Sequence, residues 1–84
     1  MDPSLRMVTE RFEHVRGRVV RLFESDESFR DLCEDYATCA QTVARFEATS
    51  PASVGLRNEY GALLLRLERE LLRYLEGVSD RDES

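Results

Sequence analysis

The sequence contains no lysine, one histidine and two cysteines, and these shortages exclude several kinds of protein. A histidine-based metal or general-base site needs partners that a single imidazole does not have. The sequence also contains no Gly-x-Ser-x-Gly nucleophile motif and no glycine-rich phosphate loop. We therefore predict that the protein is not an enzyme and has no catalytic residues, cofactor or metal site.

Long apolar runs are also missing. The longest, residues 62–65, is far too short to cross a bilayer. The N-terminus lacks the basic and apolar segments of a signal peptide, and two cysteines without a disulfide framework fit a reducing compartment. The net charge of −5 disfavours attraction of the whole molecule to nucleic acid. We expect one small cytoplasmic domain spanning residues 1–84.

The chain is organised around an apolar stripe between Ser25 and Phe46. Its members alternate at steps of three and four residues: Phe29, Leu32, Tyr36, Cys39, Val43 and Phe46. At about 3.6 residues per turn this spacing places all six on one side of an α-helix. Cys33 and Ala40 widen the stripe. The pattern predicts a helix from Asp26 to Ala48 with a side to bury along its whole length.

A second stripe precedes it and predicts an N-terminal helix in residues 1–24, from Pro3 to Glu24. Its apolar positions are Leu5, Val8, Phe12, Val15, Val19 and Leu22. Asp2 can cap this helix, and Pro3 suits its first position. The stripe continues in frame through Asp26, so periodicity alone allows one unbroken helix. Ser25 and Asp26 are both good N-caps, however, and we favour a break there.

A third helix is predicted from Pro51 to Gly77. Ser50 would cap it, Pro51 would begin it, and Gly77 would end it. Because the connection is short, the second and third helices should form an antiparallel hairpin, residues 25–78. Residues 79–84 are polar and acidic, and we expect them to fray. The predicted fold class is thus all-α, with an N-terminal helix, a helical hairpin and assembly into a bundle of coiled-coil character.

Parts of this pattern resemble the YdcH-like family of small bacterial helical-hairpin proteins. The resemblance covers about residues 16–77. It consists of a Leu-x-x-x-Asp-x-x-Phe start (Leu22, Asp26, Phe29), an acidic-Tyr step (Asp35, Tyr36) and a final arginine-rich helix. Residues 63–65 are more apolar here than in that family. The resemblance implies a cytoplasmic helical hairpin and supplies no activity.

The two cysteines and the histidine are weak candidates for chemistry. Cys33 and Cys39 lie about 9 Å apart along one helix, which exceeds the Cα separation of a disulfide, roughly 4.4–6.8 Å. On or beside the buried stripe they should act as small apolar residues. A thiol switch is the alternative, and it requires a reactive thiol. His14 is expected to be a surface residue.

Three arginines of the first helix, Arg11, Arg18 and Arg21, form a basic line. Such a line could contact nucleic acid or an anionic lipid surface, which is our alternative function. Acidic residues are interleaved, however, and no exposed aromatic side chains are placed to stack on bases. We expect these arginines to pair with the acidic second helix instead, in the same or a neighbouring chain.

The third helix has more apolar surface than one neighbouring helix can cover. We therefore predict a homo-oligomer, most simply a dimer, and a non-enzymatic protein–protein interaction module with an unknown protein partner. Its main seam, spaced at three and four residues, consists of Tyr60, Leu64, Leu67, Leu71 and Tyr74. The predicted interface is formed by the leucines outside this main seam: Leu65, Leu72, Leu63, Leu56 and Leu75. The alternative is a monomeric three-helix bundle, in which the first helix covers this second side.

Overall fold

A computed structural model describes the backbone of residues 1–49 and 54–83, and the side chains of residues 1–47 and 54–76. Within these ranges the chain is all-α, as predicted, and contains no strand. The helices are α1 (Pro3–Arg11), α2 (Arg16–Ser25), α3 (Glu27–Thr49) and α4 (Val54–Glu83), with a short 3-10 helix, Glu13–Val15, between α1 and α2. The predicted cap, Ser50, and the predicted first residue of the third helix, Pro51, lie outside the described residues.

The start of α1 confirms the predicted cap. The Asp2 carboxylate accepts hydrogen bonds from the backbone N–H groups of Ser4, at 2.8 Å, and Leu5, at 3.3 Å. Pro3 occupies the first helical position, where its missing N–H is not needed. Both features depend only on neighbouring residues, so the sequence alone was sufficient to predict this end of the helix.

The single N-terminal helix that we predicted is wrong, because the chain breaks at Phe12. This residue leaves the helical conformation, with φ −122° and ψ 55°, and its side chain is buried. The break lets α1 and α2 contact each other and lets both pack on α3. One straight helix could not do this. The apolar residues before and after the break keep their spacing of three and four, because the 3-10 turn between them has three residues per turn, close to the 3.6 residues per turn of an α-helix.

The predicted break between α2 and α3 is confirmed. Asp26 adopts an extended conformation, and its carboxylate accepts a hydrogen bond from the Phe29 N–H at 3.1 Å. Arg30 stabilises the other side of the break by donating to the backbone carbonyls of Phe23, at 3.1 Å, and Glu24, at 3.4 Å. A cation at these carbonyls also suits the negative end of the α2 dipole.

Helices α3 and α4 lie side by side and run in opposite directions. Phe29, near the start of α3, packs edge-on against Tyr74, with ring centroids 5.5 Å apart. Phe46, near the end of α3, instead packs against Tyr60, with centroids 5.6 Å apart. The core includes Phe12 at the break and residues from α1, α2, α3 and α4: Leu5, Val8, Val19, Phe29, Leu32, Cys33, Tyr36, Cys39, Leu67, Leu71 and Leu75.

The predicted stop at Gly77 is also wrong, since α4 continues as far as Glu83. A glycine inside a helix costs about 1 kcal/mol relative to alanine, which does not by itself end a helix. The segment 79–83, predicted to fray, is therefore part of α4. Among the described residues, no helix is both long and apolar enough to cross a membrane.

Candidate interaction surface

Side chains from α1, α3 and α4 meet in one polar cluster. The Arg11 guanidinium donates two hydrogen bonds to the Glu68 carboxylate, Nε to Oε2 at 3.2 Å and Nη2 to Oε1 at 3.0 Å. The Tyr36 hydroxyl donates to the same carboxylate at 3.3 Å. The Glu68 side chain is only 16% exposed, so this bidentate pair is partly shielded from water. The cluster ties α1 to the α3–α4 pair.

This cluster shifts the pKa values of its members in predictable directions. The hydrogen bond and charge of Glu68 raise the pKa of Arg11, so the guanidinium stays protonated. Burial, followed by the negative charge of Glu68, raises the pKa of the Tyr36 hydroxyl. Tyr36 therefore remains a neutral hydrogen-bond donor, and the cluster contains one cation and one anion.

The basic line of the first helix is largely used within the chain. The Arg18 guanidinium donates to the Leu75 carbonyl of α4 at 3.0 Å. The Arg21 guanidinium makes no hydrogen bond or ion pair within the described residues. The prediction that these arginines pair with the acidic second helix is wrong for Arg11 and Arg18, because α1 and α2 are oriented so that both reach α4. Two of the three predicted basic contacts are thus already engaged.

The predicted leucine interface divides into three parts. Leu75 is only 2% exposed and belongs to the core, so it is removed from the candidate interface. Leu63 is half-buried and packs against the core. The other three are exposed: Leu65 at 57%, Leu56 at 49% and Leu72 at 38%. Periodicity identified the apolar positions correctly, but it could not show which of them the folded chain buries in its core.

The remaining leucines lie on two different sides of α4. Glu68 marks the side that faces α1, since Arg11 binds it. With about 100° per residue, Leu65 and Leu72 lie within about 60° of Glu68 around the helix. Leu56 and Leu63 lie about 120–140° from it. We call Leu65 and Leu72 the front column, and Leu56 and Leu63 the back column.

A shallow groove between α3 and α4 continues from the front column. Its apolar lining comes from Val43, Ala62 and Leu65, with Gly61 between them. Its polar rim is formed by Glu47, Arg57 and Asn58. The monomeric alternative expected the first helix to cover this side of α4. Instead, α1 and α2 pack mainly on α3, reach α4 through Arg11 and Arg18, and leave Leu65 and this groove exposed.

Both cysteines are free and buried. Burial raises the pKa of the Cys33 thiol to about 12 and also raises the pKa of Cys39. The Cys39 thiol contacts the Tyr60 carbonyl, with Sγ 3.3 Å from the oxygen. Reactive thiols are partly exposed and have lowered pKa values, so this environment is typical of structural cysteines.

We predict that a thiol-specific labelling reagent reacts with neither cysteine at an appreciable rate in the folded protein at pH 7.5. The thiolate fraction is small and the sulfur atoms are inaccessible, so labelling should require unfolding. Adding denaturant should accelerate labelling of both residues together, as measured by absorbance and mass spectrometry. Rapid labelling of one cysteine in buffer would instead support a thiol switch.

The only histidine is exposed, in the 3-10 helix, as the sequence predicted. In the part of the chain that the structure describes, no three His, Cys, Asp or Glu side chains lie close enough together to hold a metal ion. Among the described residues, the exposed leucines of the front and back columns of α4 form the clearest candidate surfaces for binding another helix.

No family model, curated protein or solved structure matches this chain. The resemblance to the YdcH-like family stays a prediction based on residues 16–77 alone. Any functional conclusion therefore depends on the surfaces described above.

Proposed function

We propose that this protein is a non-enzymatic protein–protein interaction module that acts through helix packing and that forms a homodimer. The observation that carries this proposal is the exposure of leucines on both sides of α4, next to the buried Leu67, Leu71 and Leu75. Burying one leucine contributes about 1.5–3 kcal/mol. Leu56, Leu65 and Leu72 are 38–57% exposed, so burying the remaining surface of all three would contribute roughly 2–4 kcal/mol, a sizeable amount beside the stability of a small domain, about 5–15 kcal/mol.

The dimer that we propose joins two α3–α4 pairs into a four-helix bundle, one of the common ways to bury two sides of a helix. The resemblance to helical-hairpin proteins of the YdcH-like family is consistent with a hairpin as the unit of assembly. A cytoplasmic location remains our expectation. The second exposed column then serves a protein partner, so the molecule offers two surfaces for packing.

We predict that the purified protein has a mass of about twice 9.7 kDa by light scattering at tens of micromolar. Replacing Leu65 and Leu72 together with Glu, or Leu56 alone with Glu, tests the two columns separately. The variant that carries charges in the dimer interface should be monomeric, because each buried carboxylate would need desolvation. Gln41→Glu, on the exposed surface of α3, serves as the control.

A mass near 9.7 kDa for the wild-type protein at every concentration would contradict the dimer. Circular dichroism of each variant must show unchanged helix content, so that a monomer is not confused with an unfolded chain. If both leucine variants remain dimeric, then α4 is not the interface.

A further inference from the structure

The side of the α3–α4 pair that faces away from α1 carries exposed charges of both signs. On α3, Cys33 marks the side near α1, since the charge of Asp2 acts on its thiol. Asp31 and Asp35 lie about 160° around the helix from Cys33. On α4, Arg66 and Arg73 lie about 140–160° from Glu68. We call the surface formed by these four side chains and the back column the back face.

None of the four charged side chains on the back face is used within the chain. Asp31, Asp35, Arg66 and Arg73 are all exposed. None of them takes part in an ion pair or a side-chain hydrogen bond within the described residues. The α3 edge of the back face thus carries the carboxylates of Asp31 and Asp35. The α4 edge carries the guanidinium groups of Arg66 and Arg73, with the carboxylates of Glu59 and Glu70 on the same side of the helix.

The two edges are also level with each other along the hairpin. The Tyr36–Glu68 hydrogen bond and the Phe29–Tyr74 ring contact fix which residues of α3 and α4 lie side by side. Asp35 is next to Tyr36, and Arg66 is two residues from Glu68, so Asp35 and Arg66 lie at similar heights along the hairpin. Asp31 is two residues from Phe29, and Arg73 is next to Tyr74, so these two charged residues also lie at similar heights. Each acidic residue is thus within about one helical turn of the level of one arginine.

We propose that the back face is the surface through which two copies of this chain associate, with the two-fold axis parallel to the hairpin. This proposal rests on the homodimer of the proposed function and specifies its arrangement. A two-fold axis in that direction places α3 of each copy opposite α4 of the other without changing the level along the hairpin. It therefore brings Asp35 opposite the partner's Arg66, and Asp31 opposite the partner's Arg73, with each pair formed twice.

The same arrangement buries the back column. Leu56 and Leu63 lie on the back face, so pairing removes the exposed Leu56 from water. It also keeps α1 and α2 on the outside of the dimer, whereas pairing through the front would bring the α1–α2 layers of two copies together. Charge pairs at an interface contribute more to orientation and specificity than to affinity, so the leucines would stabilise the dimer and the charges would set its direction.

Of the two carboxylates on the α4 edge, only that of Glu70 is at the level of Asp31 and Asp35, where it acts against the pairing. Glu70 lies between Arg66 and Arg73 on α4 and is half-buried. Its carboxylate would approach the acidic edge of the partner. Arg66 is four residues before Glu70 and Arg73 is three residues after it, so both cations stand one turn away and offset the repulsion.

Charge reversal with mixing tests this arrangement. One variant carries Asp31→Arg and Asp35→Arg, and the other carries Arg66→Glu and Arg73→Glu. Each variant alone would oppose like charges at all four contacts, so we expect its dimer dissociation constant to rise about tenfold or more. An equimolar mixture would restore every pair, so native mass spectrometry should show a heterodimer with near wild-type affinity. The control Glu13→Arg/Arg16→Glu reverses exposed charges outside the back face and should leave the affinity unchanged.

Other results would overturn the proposal in distinguishable ways. A wild-type dimer that is insensitive to both reversals would retain the proposed function but place the interface elsewhere, for example on the front column. Weakened variants that do not recover on mixing would also refute the two-fold pairing. If the wild-type chain is monomeric at all concentrations, both the homodimer and this arrangement are refuted. The same conclusion holds if the monomer binds a different protein through its back face.

Discussion

Replacing Phe29 with Ala is expected to lower the free energy of unfolding by about 3–5 kcal/mol, a large part of the about 5–15 kcal/mol that is typical of a small domain. Phe29 is fully buried in the core cluster, and its ring packs edge-on against Tyr74. It also follows the Asp26 break, and its N–H binds the Asp26 carboxylate. The substitution therefore removes the side chain that joins the start of α3 to the later part of α4.

Urea denaturation followed by far-UV circular dichroism measures this loss. Phe46→Ala is the matched control, because Phe46 also contacts a tyrosine of α4 but is only half-buried. We expect Phe46→Ala to cost less than half as much as Phe29→Ala. Equal costs would mean that the core extends evenly along α3, which would contradict the burial pattern.

The sequence predicted those elements whose signals are local. Asp2 and Asp26 cap helices through their own side chains, and the spacing of apolar residues reflects helix geometry rather than tertiary contacts. The break at Phe12 has no such signal, since the stripe runs through it in frame. The chain bends there because the bend allows α1 and α2 both to pack on α3. This packing involves residues of α3 that are distant from Phe12 in the sequence.

The candidate surface was only partly predictable for the same reason. Periodicity identified the leucines of α4 outside the main seam, but not that Leu75 would be buried in the core while Leu56, Leu65 and Leu72 stay exposed. The Arg11–Glu68 pair and the Arg18 bond to the Leu75 carbonyl join residues that are 57 positions apart in the chain. Contacts of this kind need the relative orientation of α1, α2 and α4, which no local pattern contains.

The front column and the Arg11–Glu68–Tyr36 cluster lie next to each other, because Leu65 and Leu72 flank Glu68 on α4. A partner helix that packs on this column would lie close to α1 and α2. Such a partner would therefore contact the N-terminal segment as well as α4. The back column lies on the opposite side of α4 from Leu65 and Leu72, so a dimer formed through it would leave the front column exposed.

The free energy of unfolding is expected to fall as the pH rises from about 9 towards 12, chiefly because of Cys33. Burial raises the pKa of this thiol from 9.0 to about 12, so above pH 9 the unfolded chain loses a proton that the folded chain keeps. The stabilising contribution is complete below pH 9 and is lost as the pH approaches the folded pKa. A shift of this size corresponds to a loss of about 2.5 kcal/mol at pH 11.

Urea denaturation of the wild-type protein and Cys33→Ala at pH 8 and pH 11 isolates this effect. The alanine variant should be less stable at pH 8, because it leaves a small cavity, but it should lose about 2.5 kcal/mol less than the wild type between the two pH values. Tyr36, whose pKa is also raised, ionises in both proteins and cancels in the comparison. An equal loss of stability in both proteins would show that Cys33 is not buried as a neutral thiol in the folded state.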